Sequence, residues 1–348
     1  MPGVLRTAED AGLQCDEAGW TERPSWASVA GGMRPPNPEA DALSLGEWEH
    51  GWQYHASNSL ETAVWNTLRT ELALPRRRSN AQATGKTRIY SSCGPFAAAW
   101  LTACPTTIGL TFNDDELYAD MRLRLGLAIC TDGPDAHGYY RLADNVGGRT
   151  NARHTAVIAS WRQVLVEAGG NIPQSNVERM LRDTHVPVHA DSGLRMDLVV
   201  PGLNVAGGLP LFCDITVVSP LSHNGLPRPG TSNAGGRLLA LAQNKNDNTY
   251  VDVTRSGLGS LYCLGFEVFG RWGKQSAELI PKLAREKSRG MHPRLRRGLA
   301  LAYQRRWSGL VSVGLMKAVA AAALRGEGAD LATTLLEPIP VIADLSAA

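Results

Sequence analysis

The fold of this chain is set by two apolar segments, Arg195-Met196-Asp197-Leu198-Val199-Val200 and Leu211-Phe212-Cys213-Asp214-Ile215-Thr216-Val217-Val218. A short stretch with three glycines lies between them and predicts a hairpin-like turn. Residues 209–218 are almost wholly apolar, which is typical of a strand covered on both faces. The two predicted strands, 195–200 and 209–218, therefore each carry one acidic residue close to the other strand.

A buried, ionised and unpaired Asp214 would cost several kcal/mol, so this carboxylate needs a partner. Two ordinary solutions are a salt bridge to Arg195 and hydrogen bonds from loop amides. The third solution is a magnesium ion held together with Asp197, because hard cations bind carboxylate oxygens and keep several waters. The spacing of the two acids is compatible with all three solutions.

A further candidate for this site lies on the next predicted helix, within residues 233–250. Apolar and basic residues recur there at intervals of three and four, at Leu238, Leu241, Ala242 and Lys245. The spacing predicts that Lys245 continues the inward-facing stripe, where it would orient a water or offset charge on a phosphate. The alternative is that its stem packs on the helix and its ammonium reaches water.

These residues resemble the C-terminal region of non-LTR retrotransposon polyproteins, and more closely the reverse-transcriptase-associated open reading frames of dinoflagellates and other algae. The resemblance covers residues 86–325. It is carried by residues 94–105, 121–127, 195–200, 211–221, 265–272 and 305–310, with Lys245 and Tyr250.

The resemblance implies an α/β restriction-endonuclease-like core of the PD-(D/E)xK type, a mixed central sheet flanked by helices. In that family this domain nicks DNA for target-primed reverse transcription, with Mg²⁺ or Mn²⁺ as cofactor and a reverse transcriptase domain upstream. The resemblance makes Asp197 and Asp214 the metal ligands and catalytic acids, and Lys245 the displaced catalytic lysine. Two positions depart from the motif, since Met196 stands where it usually has proline and Thr216 where its simplest form has lysine.

The family also has a zinc-knuckle-like segment, which is degenerate in this chain. Only Cys130 and His137 remain as ligands, and Tyr139 stands where a second histidine is expected. Structural zinc requires four nitrogen or sulfur ligands, so we expect no tightly bound zinc. His154 is expected to cap or pack the helix that follows it.

Charge is distributed unevenly along the chain. Residues 1–75 contain 11 acidic and 4 basic residues, whereas residues 271–325 contain 13 basic and 2 acidic residues. The basic residues lie on three predicted helices at 272–288, 293–307 and 310–325. A solvated basic face is one explanation, and contact with the DNA or RNA backbone is the other, because clustered arginines release counterions. The predicted contacts are Arg294, Arg296, Arg297, Arg305 and Arg306.

Chain breakers divide the sequence into four predicted segments. These are an irregular, partly disordered segment with one helix (1–85), a helical segment with the knuckle remnant (86–151), the α/β core (152–272) and a basic helical extension (273–348). The predicted elements of the core are a helix at 152–168, a helix at 175–182, strands at 185–188, 195–200 and 209–218, a helix at 236–246 and a strand at 261–268. Asn113 to Glu116 is expected to cap a helix that continues to about Leu125.

Composition and the remaining motifs complete the picture. At 348 residues, 43% of them hydrophobic, the chain can bury a sizeable core. Irregular cysteine spacing predicts reduced thiols in an intracellular protein, and the family resemblance implies the nucleus. Residues 311–324 are expected to be too short to cross a bilayer, so no membrane partner is predicted.

Glu267 is expected to pair with Arg271, with the metal site as the alternative, and Trp272 and Trp307 are expected to anchor the core.

Two hypotheses follow from the sequence. In the first, the chain is a Mg-dependent endonuclease with Asp197, Asp214 and Lys245 in its active site and basic helices that hold the nucleic acid. In the second, it is a catalytically decayed nucleic-acid-binding remnant of a reverse-transcriptase polyprotein with the same fold. The positions of the two carboxylates relative to each other and to Lys245 discriminate between them.

Overall fold

The computed structural model of the protein describes residues 80–104, 110–129, 135–143 and 148–324. The chain divides into two compact units, residues 1–77 and 78–348, and every described residue belongs to the second. The predicted irregular segment, residues 1–85, therefore lies outside the described residues as far as residue 79, and the described residues begin with 80.

In the described part of the chain four helices precede the first three strands, and the fourth strand lies between two pairs of helices. Its helices are α1 (Asn80–Ser91), α2 (Asp114–Leu125), α3 (Tyr139–Ala143), α4 (Arg149–Ala168), α5 (Arg237–Thr249), α6 (Val251–Ser256), α7 (Lys274–Ser288) and α8 (Pro293–Leu324). Its strands are β1 (Val177–Met180), β2 (Arg195–Val200), β3 (Leu211–Val218) and β4 (Ser260–Glu267). The bounds of α4, α5 and β2 to β4 lie close to those that the sequence predicts.

The four strands form one mixed sheet in the order β1, β2, β3, β4. Both β1 and β3 pair with β2 in antiparallel fashion, whereas β4 pairs with β3 in parallel. The pairing of β2 with β3 runs from Val200 opposite Leu211 to Leu198 opposite Cys213. The predicted mixed α/β fold, with a central sheet flanked by helices, is confirmed at this level.

Helices cover both faces of the sheet because successive strand residues point to opposite sides. Cys213 and Ile215 of β3 join the large core that includes residues of α4, α7 and α8. Phe212, the residue before Cys213, points to the opposite side and joins a smaller cluster with Tyr250 and Val253 beside α5 and α6. The sheet therefore separates a thick helical layer from a thin one.

Aromatic side chains fill the thick layer. Trp272 lies 5.1 Å from the ring of Phe266 and 6.0 Å from that of Trp161, between ring centroids. Trp272 is 4% exposed and Trp307 is fully buried, so both are core anchors as predicted. The core cysteines Cys213 and Cys263 are also buried, as expected, and both are free thiols.

Helix α2 begins with a capping box. The side chain of Asn113 accepts a hydrogen bond from the Glu116 amide at 2.8 Å, and the Glu116 carboxylate accepts one from the Asn113 amide at 3.0 Å. These two bonds satisfy amides that have no partner within the helix. Gly126 ends the helix in the left-handed conformation, with φ of 75°. The predicted cap and helix end are confirmed.

The region between α4 and β2 differs from the prediction. Residues 175–182 were expected to be helical, but they contain strand β1 flanked by short 3-10 turns. Residues 185–188 were expected to form a strand and have no regular structure. A four-residue strand has little intrinsic preference of its own, and β1 forms because it adds to the edge of β2.

Helix α8 is longer than predicted. The expected helices 293–307 and 310–325 are one continuous 32-residue helix that passes through Ser308 and Gly309. By length and composition this helix could cross a membrane, and 78% of its most apolar stretch is buried inside the protein. The expectation that its apolar run is too short for a bilayer does not hold for the helix as a whole.

Candidate active site

The acidic pair lies where the pairing of β2 with β3 ends. The ladder ends with Leu198 of β2 opposite Cys213 of β3. Asp197 directly precedes Leu198, and Asp214 directly follows Cys213. Oδ2 of Asp197 accepts a hydrogen bond from the Ile215 amide at 2.6 Å. The carboxylate of Asp197 thus replaces a backbone acceptor at the point where the ladder stops.

His154 of α4 completes this arrangement. Its Nε2 lies 3.1 Å from Oδ2 of Asp197 and 2.9 Å from the carbonyl oxygen of Ile215. Burial by itself lowers the pKa of His154, but the hydrogen bond and charge of Asp197, the Ile215 carbonyl and the charge of Asp214 outweigh it and raise the pKa overall. The imidazole nitrogen therefore sits between two oxygen acceptors, and its charged form is favoured.

Asp214 is held from the thin helical layer. Asn246 donates to its Oδ2 at 2.5 Å, and the Tyr250 hydroxyl lies 3.2 Å from its Oδ1. The same hydroxyl lies 2.9 Å from the carbonyl oxygen of Arg195, so its single proton is shared between these two acceptors. Arg195 itself pairs with Glu178 at 3.4 Å, so the predicted salt bridge of Asp214 with Arg195 is wrong. Two side chains, not loop amides, satisfy this carboxylate.

The two carboxylates influence each other electrostatically. Burial first, and then the negative charge of Asp197, raise the pKa of Asp214, and the bonds from Asn246 and Tyr250 only partly offset this. Burial and the charge of Asp214 likewise raise the pKa of the Tyr250 hydroxyl. Burial raises the pKa of the neighbouring Cys263 thiol to about 12. The site is therefore a partly buried acidic cluster in which the protonated forms of Asp214, Tyr250 and Cys263 are favoured.

Lys245 does not belong to this cluster. It is exposed on α5, and the buried residues of that helix are Leu239 and Asn246. The prediction that Lys245 faces inward is wrong. The inward face passes through Leu239 and Asn246, one residue further along than the predicted stripe through Leu238 and Lys245. Adjacent leucines at 238 and 239 make the two faces hard to distinguish from the sequence. The neighbouring Asn246 reaches Asp214 instead.

A complete metal-ligand cluster is not evident. Among the described residues, no group of three or more His, Cys, Asp or Glu side chains is arranged for a metal ion. Cys130 of the degenerate knuckle lies outside the described residues, while His137 stacks on Tyr139 with ring centroids 5.1 Å apart. Hard oxygen donors are nevertheless present in Asp197, Asp214 and the Ile215 carbonyl.

The predicted arginines have different surroundings. Arg294, Arg296, Arg297 and Arg305 are exposed on α8. Arg306 instead forms two hydrogen bonds to the Glu167 carboxylate of α4, at 2.8 and 3.0 Å. Trp307 donates to the same carboxylate at 2.8 Å. Arg306 therefore ties α8 to α4 in this structure, and its contact with nucleic acid stays a prediction.

Glu267 is separate from the acidic pair. It is buried at the end of β4, 3.9 Å from Nε of Arg271. Burial raises the pKa of Glu267, and its Oε2 accepts no hydrogen bond. Arg271 donates to the Tyr90 carbonyl at 2.7 Å, which joins α1 to the sheet. The prediction that Glu267 pairs with Arg271 is confirmed.

No family model, curated protein or solved structure matches the chain.

Three residues that contact the two acids were not predicted from the sequence to do so. His154 was expected to cap or pack a helix, and Asn246 was passed over in favour of Lys245. Tyr250 entered only through the family resemblance. The spacing of Asn246 and Tyr250, four residues apart, is a signal that could have shown them on one helical face.

Proposed function

We propose that this chain is a metal-dependent phosphodiesterase that nicks DNA, with Asp197 and Asp214 as its acids. The observation that carries the proposal is that two acids stand on adjacent strands where the pairing of β2 with β3 ends, with His154 bonded to one of them. Two acids and a histidine that meet in this way, one acid with a raised pKa, are typical of active sites.

The order of helices and strands supports a restriction-endonuclease-like core. Helix α4 is followed by the three strands β1 to β3, by helices α5 and α6 and by strand β4. The resemblance to retrotransposon polyproteins gives the same arrangement and assigns the acids to β2 and β3. We therefore propose DNA as the substrate, nicked for target-primed reverse transcription with a reverse transcriptase domain as partner.

The donors at the site suit a hard cation. Asp197, Asp214 and the Ile215 carbonyl offer oxygen ligands of the kind that Mg²⁺ and Mn²⁺ prefer. A bound cation would polarise the phosphate and lower the pKa of an attacking water. His154 Nε2 now lies between Asp197 Oδ2 and the Ile215 oxygen, so the imidazole must turn aside to expose both atoms.

The chain's own residues have distinct tasks in this proposal. His154 holds a proton on Nε2 to a higher pH than a free histidine would while it contacts Asp197, so it offsets the charge of the acids as long as no cation is bound. Asn246 and Tyr250 hold the Asp214 carboxylate in place, which preserves its orientation at little entropic cost.

A catalytically decayed nucleic-acid-binding remnant is the second candidate, and specific contacts favour it. Asp197 is bonded to His154 of α4, whereas Asp214 is bonded to Asn246 of α5, so helices of opposite layers hold the two acids. Oδ2 of Asp197 already has two partners. In this second candidate Asp197 has the structural task of bonding the Ile215 amide where the strand pairing ends. The function that remains is nucleic-acid binding by the basic helices.

Nicking of supercoiled plasmid with Mg²⁺ or Mn²⁺ distinguishes the two. We expect the wild-type chain to nick DNA, chelation of the metal to stop it, and Asp214→Asn to reduce it by about a hundredfold or more. Asp191→Asn, at an exposed carboxylate away from the pair, is the matched control.

Equal nicking by the wild type and Asp214→Asn would overturn the assignment of Asp214. DNA binding by a wild-type chain that never nicks would favour the decayed remnant. His154→Ala separates the histidine's contribution from that of the acids.

A further inference from the structure

A basic groove lies between helices α7 and α8, outside the acidic cluster. Its cavity of about 660 Å³ has an apolar floor that includes Pro281, Ala284 and Ala300. Five cationic side chains line it, namely Lys282, Arg285 and Arg289 of α7 with Arg296 and Arg297 of α8. This groove, called the α7–α8 groove below, combines strong positive charge with a concave shape.

The acid within the groove is already neutralised. Glu286 accepts a hydrogen bond from Asn204 at 3.0 Å and pairs with Arg289 at 2.8 Å. Arg285 and Arg297 are exposed, and neither forms an ion pair with a described carboxylate. The guanidinium groups of Arg285 and Arg297 are therefore free to bind an anion from solution.

The spacing of the α7 cations matches a repeating anion better than a single one. Lys282, Arg285 and Arg289 are separated by three and four residues, so they share one helical face. From Lys282 to Arg289 the helix rises about 10 Å, a length that carries about three phosphates of one DNA strand. Arg296 and Arg297 add charge from the opposite wall.

We infer that the α7–α8 groove binds the phosphodiester backbone of a polynucleotide. The inference deepens the proposed function, since it assigns the surface that holds the nucleic acid, but the binding does not require catalysis. Guanidinium groups bind phosphate oxygens through two parallel hydrogen bonds and need no particular base. Arg294 lies on α8 outside this groove, so the predicted contacts Arg296 and Arg297 contribute and Arg294 contributes much less.

This inference is tested by measuring the binding of a labelled DNA duplex through its fluorescence anisotropy. A chelator is present so that no metal-dependent nicking occurs. We expect Arg285→Gln and Arg297→Gln each to weaken binding about fivefold and to reduce the slope of log affinity against log salt by about 1. Arg294→Gln is the matched control, because it removes the same charge from an exposed arginine of the same helix. Circular dichroism of each variant verifies that its fold is intact.

The inference is overturned if Arg294→Gln weakens binding as much as Arg297→Gln, or if neither groove variant weakens it. It is also overturned if polyglutamate, an acidic peptide, or vesicles of anionic lipid bind the groove more tightly than DNA does. The outcome of the nicking assay is independent of the outcome of this binding experiment. Groove-dependent binding without nicking removes only the catalytic proposal, and nicking with unchanged binding by the groove variants removes only the groove.

Discussion

Asp214 is a side chain whose charge is disfavoured by its surroundings, because burial and Asp197 both raise its pKa. The folded protein therefore keeps the Asp214 proton at pH values at which the unfolded chain has released it. In that window the folded state binds more protons, so the free energy of unfolding falls as pH rises. Above the raised pKa the folded protein holds an ionised carboxylate at a cost in stability.

Asp214→Asn removes that cost while it keeps the size of the side chain. We expect it to raise the free energy of unfolding by about 1 kcal/mol at about pH 8, and by less at about pH 4, because the raised pKa leaves the wild-type carboxyl more protonated there than at pH 8. Urea unfolding at both pH values measures the difference. Asp191→Asn, whose carboxylate is 93% exposed, should change neither value. A variant no more stable than the wild type at the higher pH would contradict the argument.

His154 owes its raised pKa to Asp197 above all, since burial alone acts in the opposite direction. Asp197→Asn is expected to lower the pKa of His154, because the charge of Asp197 is lost while the burial, the Ile215 carbonyl and the charge of Asp214 remain. An NMR titration of the histidine ring protons measures this shift.

The stability that the His154–Asp197 pair contributes has a definite pH dependence. It is fully present below the ordinary pKa of histidine and is lost as pH rises through the raised pKa of the folded state. Asp191→Asn is the control that should leave the titration of His154 unchanged. An unchanged pKa of His154 in Asp197→Asn would show that the contact does not set the charge of the ring.

Helices α4 and α8 are held together by close packing and by Glu167. Gly314 of α8 lies against α4, and a Cβ added there would come within 2.1 Å of the Ser160 hydroxyl oxygen. Glu167 binds both Arg306 and Trp307 across the same contact. Burial alone raises the pKa of Glu167, yet the bonds from Arg306 and Trp307 outweigh it and lower the pKa.

Two glycines of α8 give opposite predictions for one substitution. Gly314→Ala is expected to lower the free energy of unfolding by about 1–3 kcal/mol, because the added methyl forces Ser160 and α4 to move. Gly298→Ala meets nothing within 4 Å and should raise stability by about 0.5–1 kcal/mol through helix propensity. Thermal unfolding of both variants measures the contrast. Similar shifts in both variants would contradict the close contact of α8 with α4.

The described core belongs to one unit of the chain. The large cluster extends from Trp100 to Ala323, so the predicted helical segment, α/β core and basic extension all contribute to it. Burial of apolar surface is the main stabilising term for such a fold. The C-terminal helices are therefore part of the core and cannot be removed without exposing it.

A chain of residues 78–348 should consequently fold on its own. We expect it to unfold in a single cooperative transition in urea and to retain the near-ultraviolet circular dichroism of its buried tryptophans. A chain that ends at residue 272 is the matched comparison, and it should lack both properties because α7 and α8 are missing. A cooperative transition in the shorter chain would contradict the role of α8 in the core.

Periodicity and punctuation in the sequence are sufficient for most of the sheet and its helices. The apolar runs define β2, β3 and β4, the stripe of α4 defines its buried face, and Asn113 with Gly126 bounds α2. These features are local, since a strand or a capped helix depends on residues close to it in sequence. The acids Asp197 and Asp214 are also correctly predicted to lie on neighbouring strands.

The tertiary structure alone decided which side chains surround those acids. A helical pattern leaves the inward face uncertain by one residue, and α5 resolves it by turning Asn246, not Lys245, toward Asp214. His154 reaches Asp197 over 43 positions of sequence, and Arg306 reaches Glu167 over 139. Such pairs depend on how separate helices pack against the sheet, and no local spacing encodes that packing.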